Sequence, residues 1–411
     1  MAEFESGARE EIRWVETDQH EVSSVTDMTV LPHGGNPTGP HKPYDRGPTD
    51  EVASDLQVQD NPARSFTVPF SMQNVARYGA HDLPLQQVVN FRWLAGVDTG
   101  VLATIGSDAP GNKLVASAGT PFAGLAAHVP CVVWLCRGGA TPIAGQPVVA
   151  TEVLAAGAEL VLALGGANGI TLTTVAAGDD VQVMHSGVIK LGTELIFAMI
   201  ERAQVGLGHF YAGFGLIGTQ YDFNGSKGSD PTQSFNFMGK DADNATATFG
   251  TGTQTPAPGT KAFNFGSDLK HFREGGTAVP LLFLQSLQYS IQAGVAAVDP
   301  AGIDGPYAHE KNRFQITGTA TYFSNDAGRD VGQKANDKAD SSLIFALQNT
   351  VSGITRAYVD WLPHVQYDQT EQQGGGNDSI LTTPTNFMVA KHPTLGLMWS
   401  RSRFTGVPLT L

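Results

Sequence analysis

The chain has 411 residues, with 39 acidic against 25 basic side chains, a formal net charge of −14, 48 glycines and two cysteines. That length supports two or three domains around a sizeable core, and so few cysteines exclude a small disulfide-stapled scaffold. Gripping nucleic acid requires clustered Lys and Arg to displace counterions from phosphates, so an acidic chain with scattered basic residues argues against tight DNA or RNA binding.

The N-terminal stretch MAEFESGAREEIRWVETDQ is charged from its third residue, and no apolar run is long enough to span a bilayer. The reading is a soluble protein of a reducing compartment that makes no membrane contact, so the sequons at Asn224 and Asn244 carry no weight. Residues 1–63 form an acidic, loop-rich arm that includes a first short strand, EEIRWVE. Within the arm, LPHGGNPTGPHKPYDRGP (31–48) is dense in Pro and Gly and is expected to extend over a surface, docking on a neighbour. His33 and His41 lie eight residues apart with no further ligand cluster, so they read as loop histidines and not as a metal site.

Residues 64–108 combine a strand and a helix. In RSFTVPFSMQN, Phe66, Val68, Phe70 and Met72 alternate onto one face. The following AHDLPLQQVVNFRWLAG offers Asp82 as N-cap and Pro84 in the first turn, and Leu85, Val88, Val89 and Trp93 make a stripe that covers a sheet. Over 109–186 the texture changes to short apolar runs: NKLVASA, CVVWLC, QPVVATEVL, LVLALG, ITLTTV and DVQVMHSG. Turn residues separate them, which predicts a small β barrel or sandwich inserted as a compact domain. Cys131 and Cys136 point to opposite faces of one strand and are expected to be buried, unbridged thiols.

Residues 187–411 return to longer alternating strands. GFGLIG, residues 213–218, is a formal match to the dinucleotide-binding fingerprint, which works only where a strand turns into a helix that aims free N–H groups at a pyrophosphate. Here the next residues, Thr219 to Phe223, alternate polar and aromatic, and the cluster Asn224 to Pro231 forms a turn before alternation resumes at Ser234. Gly213, Gly215 and Gly218 therefore belong to a β meander, and no cofactor is assigned. LLFLQSLQYSIQA, RFQITGTATYF, SLIFALQN, RAYVDWLPHVQY and LGLMWSRSRF are further strands, and NDAGRDVGQKANDKADSS (325–342) is polar, helix-tolerant and expected to be exposed. QTEQQGGGNDS (369–379) reads as a flexible turn in which Asp378 alone cannot hold calcium. No nucleophile elbow, His-Glu-x-x-His or Cys/His quartet occurs, so no catalytic, cofactor-binding or metal-binding residue is assigned.

Four segments in order resemble the tail tube proteins of long-tailed bacteriophages, of the larger siphophage type. They are TDEVASDLQVQDNPARSFTVPFSMQNVARYGAHDLPLQQVVNF (49–91), GVIKLGTELIFAMIERAQVGLGHFYAGFGLIGTQYDFNGSKGSDPTQSFNFMGKDAD (187–243), RFQITGTATYFSND from Arg313, and WLPHVQYDQTEQQGGGNDSILTTPTNFMVAKHPTLGLMW. The resemblance implies a mainly β fold of two packed antiparallel sheets with a flanking α-helix, plus the small β insertion. It also implies a structural subunit that self-assembles into stacked rings, making a channel for DNA ejection. The strand and helix at 64–94 and the strand and polar segment at 313–342 read as a diverged duplication, so that three chains make a ring of approximate sixfold symmetry; a hexamer of full chains is the other option.

The implied partners are further copies of the chain, a tape measure protein, and tail terminator and tail tip proteins. DNA would pass without tight binding, and Asp222, Asp230 and the acidic arm are candidates for the channel lining. The implied location is the virion tail, assembled in the host bacterial cytoplasm. The alternatives are another phage ring, such as a distal tail or capsid decoration protein, and, from a different class, a carbohydrate-binding β-sandwich or β-rich enzyme. Trp14, Trp93, Trp134, Trp361 and Trp399 are dispersed, which suits core packing better than a sugar platform.

Overall fold

The segment Val68–Val75 shows how this chain builds its sheets. Val68, Phe70 and Met72 are buried while Pro69 and Gln73 are exposed, so period-two alternation divides the strand between a core face and a free face. The computed structural model describes residues 10–18, 25–43, 66–97, 101–102, 105–106, 113–116, 118–137, 144–163, 181–279, 283–300, 305–323, 326–370 and 381–407.

A first run of elements comprises β1 (Glu10–Thr17), β2 (Thr29–Leu31), β3 (Gly34–Thr38), β4 (Val68–Val75), α1 (Asp82–Val89) and β5 (Leu94–Ala95). Next come β6 (Val101–Leu102), β7 (Ile105–Gly106), β8 (Lys113–Ala116), β9 (Cys131–Arg137), β10 (Ala144–Leu154), β11 (Glu159–Leu162) and β12 (Val181–Met184). These form a separate sheet in the order β6-β12-β9-β10-β11-β8-β7. The first run then resumes with β13 (Gly187–Lys190), β14 (Phe197–Gln204), β15 (His209–Ser226), β16 (Thr232–Gly239) and β17 (Asp241–Ala245). A second run follows: α2 (Phe265–Asp268), β18 (Leu269–Glu274), β19 (Thr277–Ala278), β20 (Leu284–Gln292), the hairpin β21 (Val295–Val298) and β22 (Ala308–Lys311), β23 (Gln315–Phe323), α3 (Asp326–Asn336), β24 (Asp340–Val351), β25 (Ile354–Thr370), β26 (Thr382–Val389) and β27 (Ser400–Thr405).

The two runs share one pairing scheme. In the first, β1 pairs β2 and β14, β3 pairs β4, β4 pairs β16, and β15 pairs β14, β16 and β17. In the second, β18 pairs β19 and β24, β20 pairs β23, β23 pairs β26, and β25 pairs β24, β26 and β27. The helix follows the same strand in each run, β4 before α1 and β23 before α3. The repeat extends to side chains, since Asn236-Phe237-Met238 of β16 and Asn386-Phe387-Met388 of β26 hold matching places, with Met238 opposite Pro69 and Met388 opposite Thr317.

The long strands β15 and β25 change partners midway, at bulges near Gly218 and Tyr367, and so pass from an outer sheet into an inner one. The inner sheet runs β3-β4-β16-β15-β20-β23-β26-β25. Between the layers lies an aromatic core that includes Phe70, Tyr221, Phe223, Phe235, Tyr289, Tyr322, Phe345 and Phe387. The answer to GFGLIG is mechanical. It lies wholly within β15, and a Cβ at Gly218 would fall 2.6 Å from the backbone nitrogen of Val88, so glycine lets α1 pack directly on the strand.

The outward face of β24, β25 and β27 is covered by the β6–β12 sheet, with Val132, Trp134, Cys136 and Val149 against Ile344, Val359, Trp361 and Phe404. Cys131 belongs instead to that sheet's own core with Leu114, Val133 and Leu160, and both thiols are buried and outside any disulfide. The matching outward face of β14 and β15 (Met199, Ala212, Phe214) is covered by Val25, Met28 and Phe249.

Asp82 is not the N-cap: His81 holds that position, and Asp82, inside the first turn, accepts hydrogen bonds from Tyr358 Oη (2.7 Å) and Arg403 Nη1 (2.6 Å). The helix stops at Val89, where Asn90 adopts φ 55°, so Trp93 lies beyond it, beneath the Arg403 guanidinium at 4.7 Å. Part of the Pro- and Gly-rich arm is strand β3, paired with β4, where a loop is expected. The polar segment at 325–342 contains α3, which buries Val331 and Ala335, so it is amphipathic and not wholly exposed. Residues 44–65, 164–180 (including ITLTTV) and 371–380 lie outside the described residues.

Candidate functional site: a concave polar face and two open edges

Alternation along the inner sheet sends one set of side chains into the core and the other onto a concave face. That face is lined by Gln73 from β4, Asp222 and Asn224 from β15, Thr232 and Ser234 from β16, Gln288 and Ser290 from β20, Thr317 and Thr319 from β23, Asn386 from β26 and Asp368 from β25. Amides and hydroxyls hold one another in place: Gln220 Nε2 donates to Asp222 Oδ1 (2.8 Å) and Ser290 Oγ (3.2 Å), and Thr319 Oγ1 donates to Asn386 Oδ1 (2.7 Å). Among the described residues that line it, Asp222 and Asp368 are the carboxylates and there is no Lys or Arg. Such a surface of amides, hydroxyls and carboxylates stays hydrated and carries negative charge.

The sheet ends at two borders. Among the described residues, β3 pairs only with β4, and the distal part of β25 beyond Gln366 pairs only with β26. Inside the chain the corresponding border is filled. The distal part of β15 pairs with β20 from Gln220↔Gln292 to Ser226↔Ser286, immediately after its pairing with β14 ends at Ile217. Since β20 stands to β23 as β3 stands to β4, the distal part of β25 is to a β3 strand what β15 is to β20. One such junction is complete within the chain, and the two halves of another lie unfilled at opposite ends of the sheet.

The filled junction is anchored from the outer layer. Arg401 of β27 donates through Nε and Nη2 to Asp360 Oδ1 (2.8 Å) and Oδ2 (2.9 Å), and through Nη2 to Tyr221 Oη (2.8 Å) and Tyr289 Oη (3.0 Å). Tyr221 and Tyr289 sit on β15 and β20, so one buried cation ties both strands of the junction to the outer sheet. Burial pushes the Tyr221 phenol up to about 12, which keeps it a neutral hydrogen-bond partner. At the unfilled β25 border, hydrogen bonds from Gln366 and His364 hold Asp340 below the usual carboxylate range.

Of the acids proposed for the lining, Asp222 is on the concave face. Asp230 sits in the β15–β16 turn and accepts from Asn264 Nδ2 (3.2 Å). The arm's Glu11 and Glu16 pair with Arg13 and Arg92 on the outer layer, away from this face. Asp368 and the Ser, Thr, Asn and Gln lining were legible in principle, as the polar half of each alternating strand. His33 Nε2 lies 3.0 Å from the Glu10 carbonyl and His41 is exposed; no group of three or more metal-ligating side chains occurs among the described residues. No helix among them is long and apolar enough to cross a membrane.

A family model described as phage tail tube protein matches residues 88–389, which is most of the chain. No curated protein matches it.

Proposed function

The chain belongs to the phage tail tube protein family, and from that premise we propose that three copies close head to tail into a ring, the stacked rings forming the channel through which DNA leaves. A structural role in the phage tail follows from the family itself. The observation that carries the finer reading is the repeat of the β15–β20 junction as two open halves, the distal part of β25 and β3. A next copy's β3 laid along β25 satisfies both borders; because the two surfaces differ the contact is head to tail, and a rotation of about a third of a turn per copy closes it into a ring.

Each chain supplies eight inner strands, so three copies give about 24; at about 4.8 Å spacing and a tilt of about 40° the Cα diameter is about 48 Å. Side chains reduce that bore and still leave room for hydrated duplex DNA. The concave face then becomes the lumen, with Asp222 and Asp368 repelling phosphate. The arm and the β21–β22 hairpin, which enter and leave the inner sheet at corresponding places in the two runs, are suited to bridge successive rings. The insertion, taken as a domain over residues 109–186, rides on the tube exterior through its seat on the outward face of β24, β25 and β27. A tape measure protein in the lumen, terminator and tip proteins at the ends, and assembly in the host bacterial cytoplasm complete the proposal. Mass per ring, from electron microscopy of the purified tube or native mass spectrometry of released rings, tests it. Three chains are expected, and six would overturn it.

A further inference from the structure

Along the strands of the concave face the side chains are not uniformly polar. Near one end of β16 and β26 stand Met238 and Met388, the latter 51% exposed. At the opposite end, opposite Thr232 and Thr382, stand the half-buried Val75 of β4 and Phe323 of β23. Six residues of strand, about 20 Å, separate the two levels. Between them the same face carries Ser71, Gln73, Asn236, Thr319, Thr321 and Asn386. The profile from rim to rim is therefore apolar, polar, apolar.

Both apolar levels obey the internal repeat. Met238 corresponds to Met388, and Val75 corresponds to Phe323, the last residue of the strand that precedes each helix. In the three-copy ring each level then becomes a collar of about six apolar side chains at about 60° intervals. A passing polymer has no matching symmetry and cannot use all positions of a collar at once. A second ring of the same chain can, because its opposite rim carries the complementary collar at the same spacing.

We propose that the Met238/Met388 rim of one ring docks on the Val75/Phe323 rim of the next, forming an apolar gasket at every ring junction of the channel. This rests on the three-copy ring described above. Methionine suits the role because its unbranched, polarizable side chain adapts to a partner surface and makes favourable sulfur–aromatic contacts. Phe323 has Lys227 Nζ 5.8 Å from its ring centroid, which gives the ring a partner in the free subunit. The gasket gives the stack a direction, since Met meets Val and Phe and never its own kind, and it keeps the polar, acidic band as the only wall that DNA meets.

Two experiments test it. In Met238→Ser/Met388→Ser the open edges that close the ring are untouched, so rings of unchanged mass are expected while the critical concentration for tube growth rises at least tenfold. An unchanged critical concentration overturns the gasket, and so does loss of the rings themselves, which would place these methionines in ring closure. In Phe323→Cys/Met388→Cys, oxidation of assembled tubes is expected to give a ladder of covalent multimers extending beyond one ring, against a silent background because Cys131 and Cys136 are buried. Tubes of this variant and of Val75→Cys/Met388→Cys that both oxidise without a ladder refute the docking. The mass of the unstacked variant rings reports separately on the three-copy reading.

Discussion

Reversing the two carboxylates of the concave face gives the most direct test of what that face does. Asp222 and Asp368 lie on it, with no Lys or Arg among its described lining residues. In a three-copy ring they amount to about six negative charges, so Asp222→Lys/Asp368→Lys places about six cations in each ring along the proposed path of DNA. Each neutralised phosphate contributes about −0.9 to the slope of log K against log salt, and six give a slope of about −5. Between 50 and 200 mM salt the variant's affinity should then fall by roughly a thousandfold. The assay is co-sedimentation of assembled tubes with short linear duplex across that salt range. Wild-type tubes are expected to leave duplex in the supernatant at physiological salt, and variant tubes to retain it at 50 mM salt and release it by roughly 200 mM. The cost to folding is small, because among the described residues Asp222 accepts from Gln220 Nε2 at a half-buried strand position, and Asp368 is exposed. Micromolar retention by the wild type, or well-assembled variant tubes that ignore DNA at low salt, would show that these side chains do not line the path.

Three further outcomes concern the architecture that holds the face in place. Arg401→Met strands the Asp360 carboxylate, whose side chain is 2% exposed, and should cost about 3–5 kcal/mol in urea unfolding, whereas Asp360→Leu/Arg401→Met should recover most of that loss; equal costs for the single and double variants would refute the pairing argument. Gly218→Ala pushes a methyl to 2.6 Å from the α1 backbone and should lose about 1–3 kcal/mol. Gly259→Ala, with nothing within 4 Å, should be near neutral, and reversal of that order would refute the close-approach reading. Burial lowers His81 to about 4, so protonation favours the unfolded chain: stability is full above pH 6.5 and falls as pH drops towards 4, by about 3 kcal/mol from this residue. His81→Asn should remove that share of the acid sensitivity, and an unaltered profile between pH 7 and 4.5 would show that His81 is not held neutral.

Much of this protein is written locally. The alternation in VPFSMQNV, TQSFNFMG and QITGTATYF specifies strands whose core and free faces the fold reproduces residue by residue. The absence of a helix after GFGLIG likewise placed those glycines in a strand. Legibility stops where a position depends on something distant in the chain. Asp82 satisfied every local criterion for a cap, yet Arg403 and Tyr358, about 300 residues away in sequence, draw its carboxylate elsewhere. α3 looked exposed because its polar residues outnumber its apolar ones, and only its seat on β25 and β26 decides which side Val331 and Ala335 occupy. The repeated Asn-Phe-Met at 236–238 and 386–388 was the available signal for the duplication, but three residues acquire meaning only when both copies are seen to hold the same register.

Sequence by itself thus determined the class of the fold, mainly β with alternating faces, a charge that disfavours phosphate and strands thinned by glycine, because each follows from side-chain period, net charge or backbone freedom over a few neighbouring residues. Only the tertiary structure decided that β15 and β25 change sheets midway, that the free polar faces converge on one concave surface, and that β3 and the distal part of β25 are left as complementary borders. The reason is that strand pairing is satisfied between segments far apart in the chain, so whether a backbone edge is filled or open has no local signature.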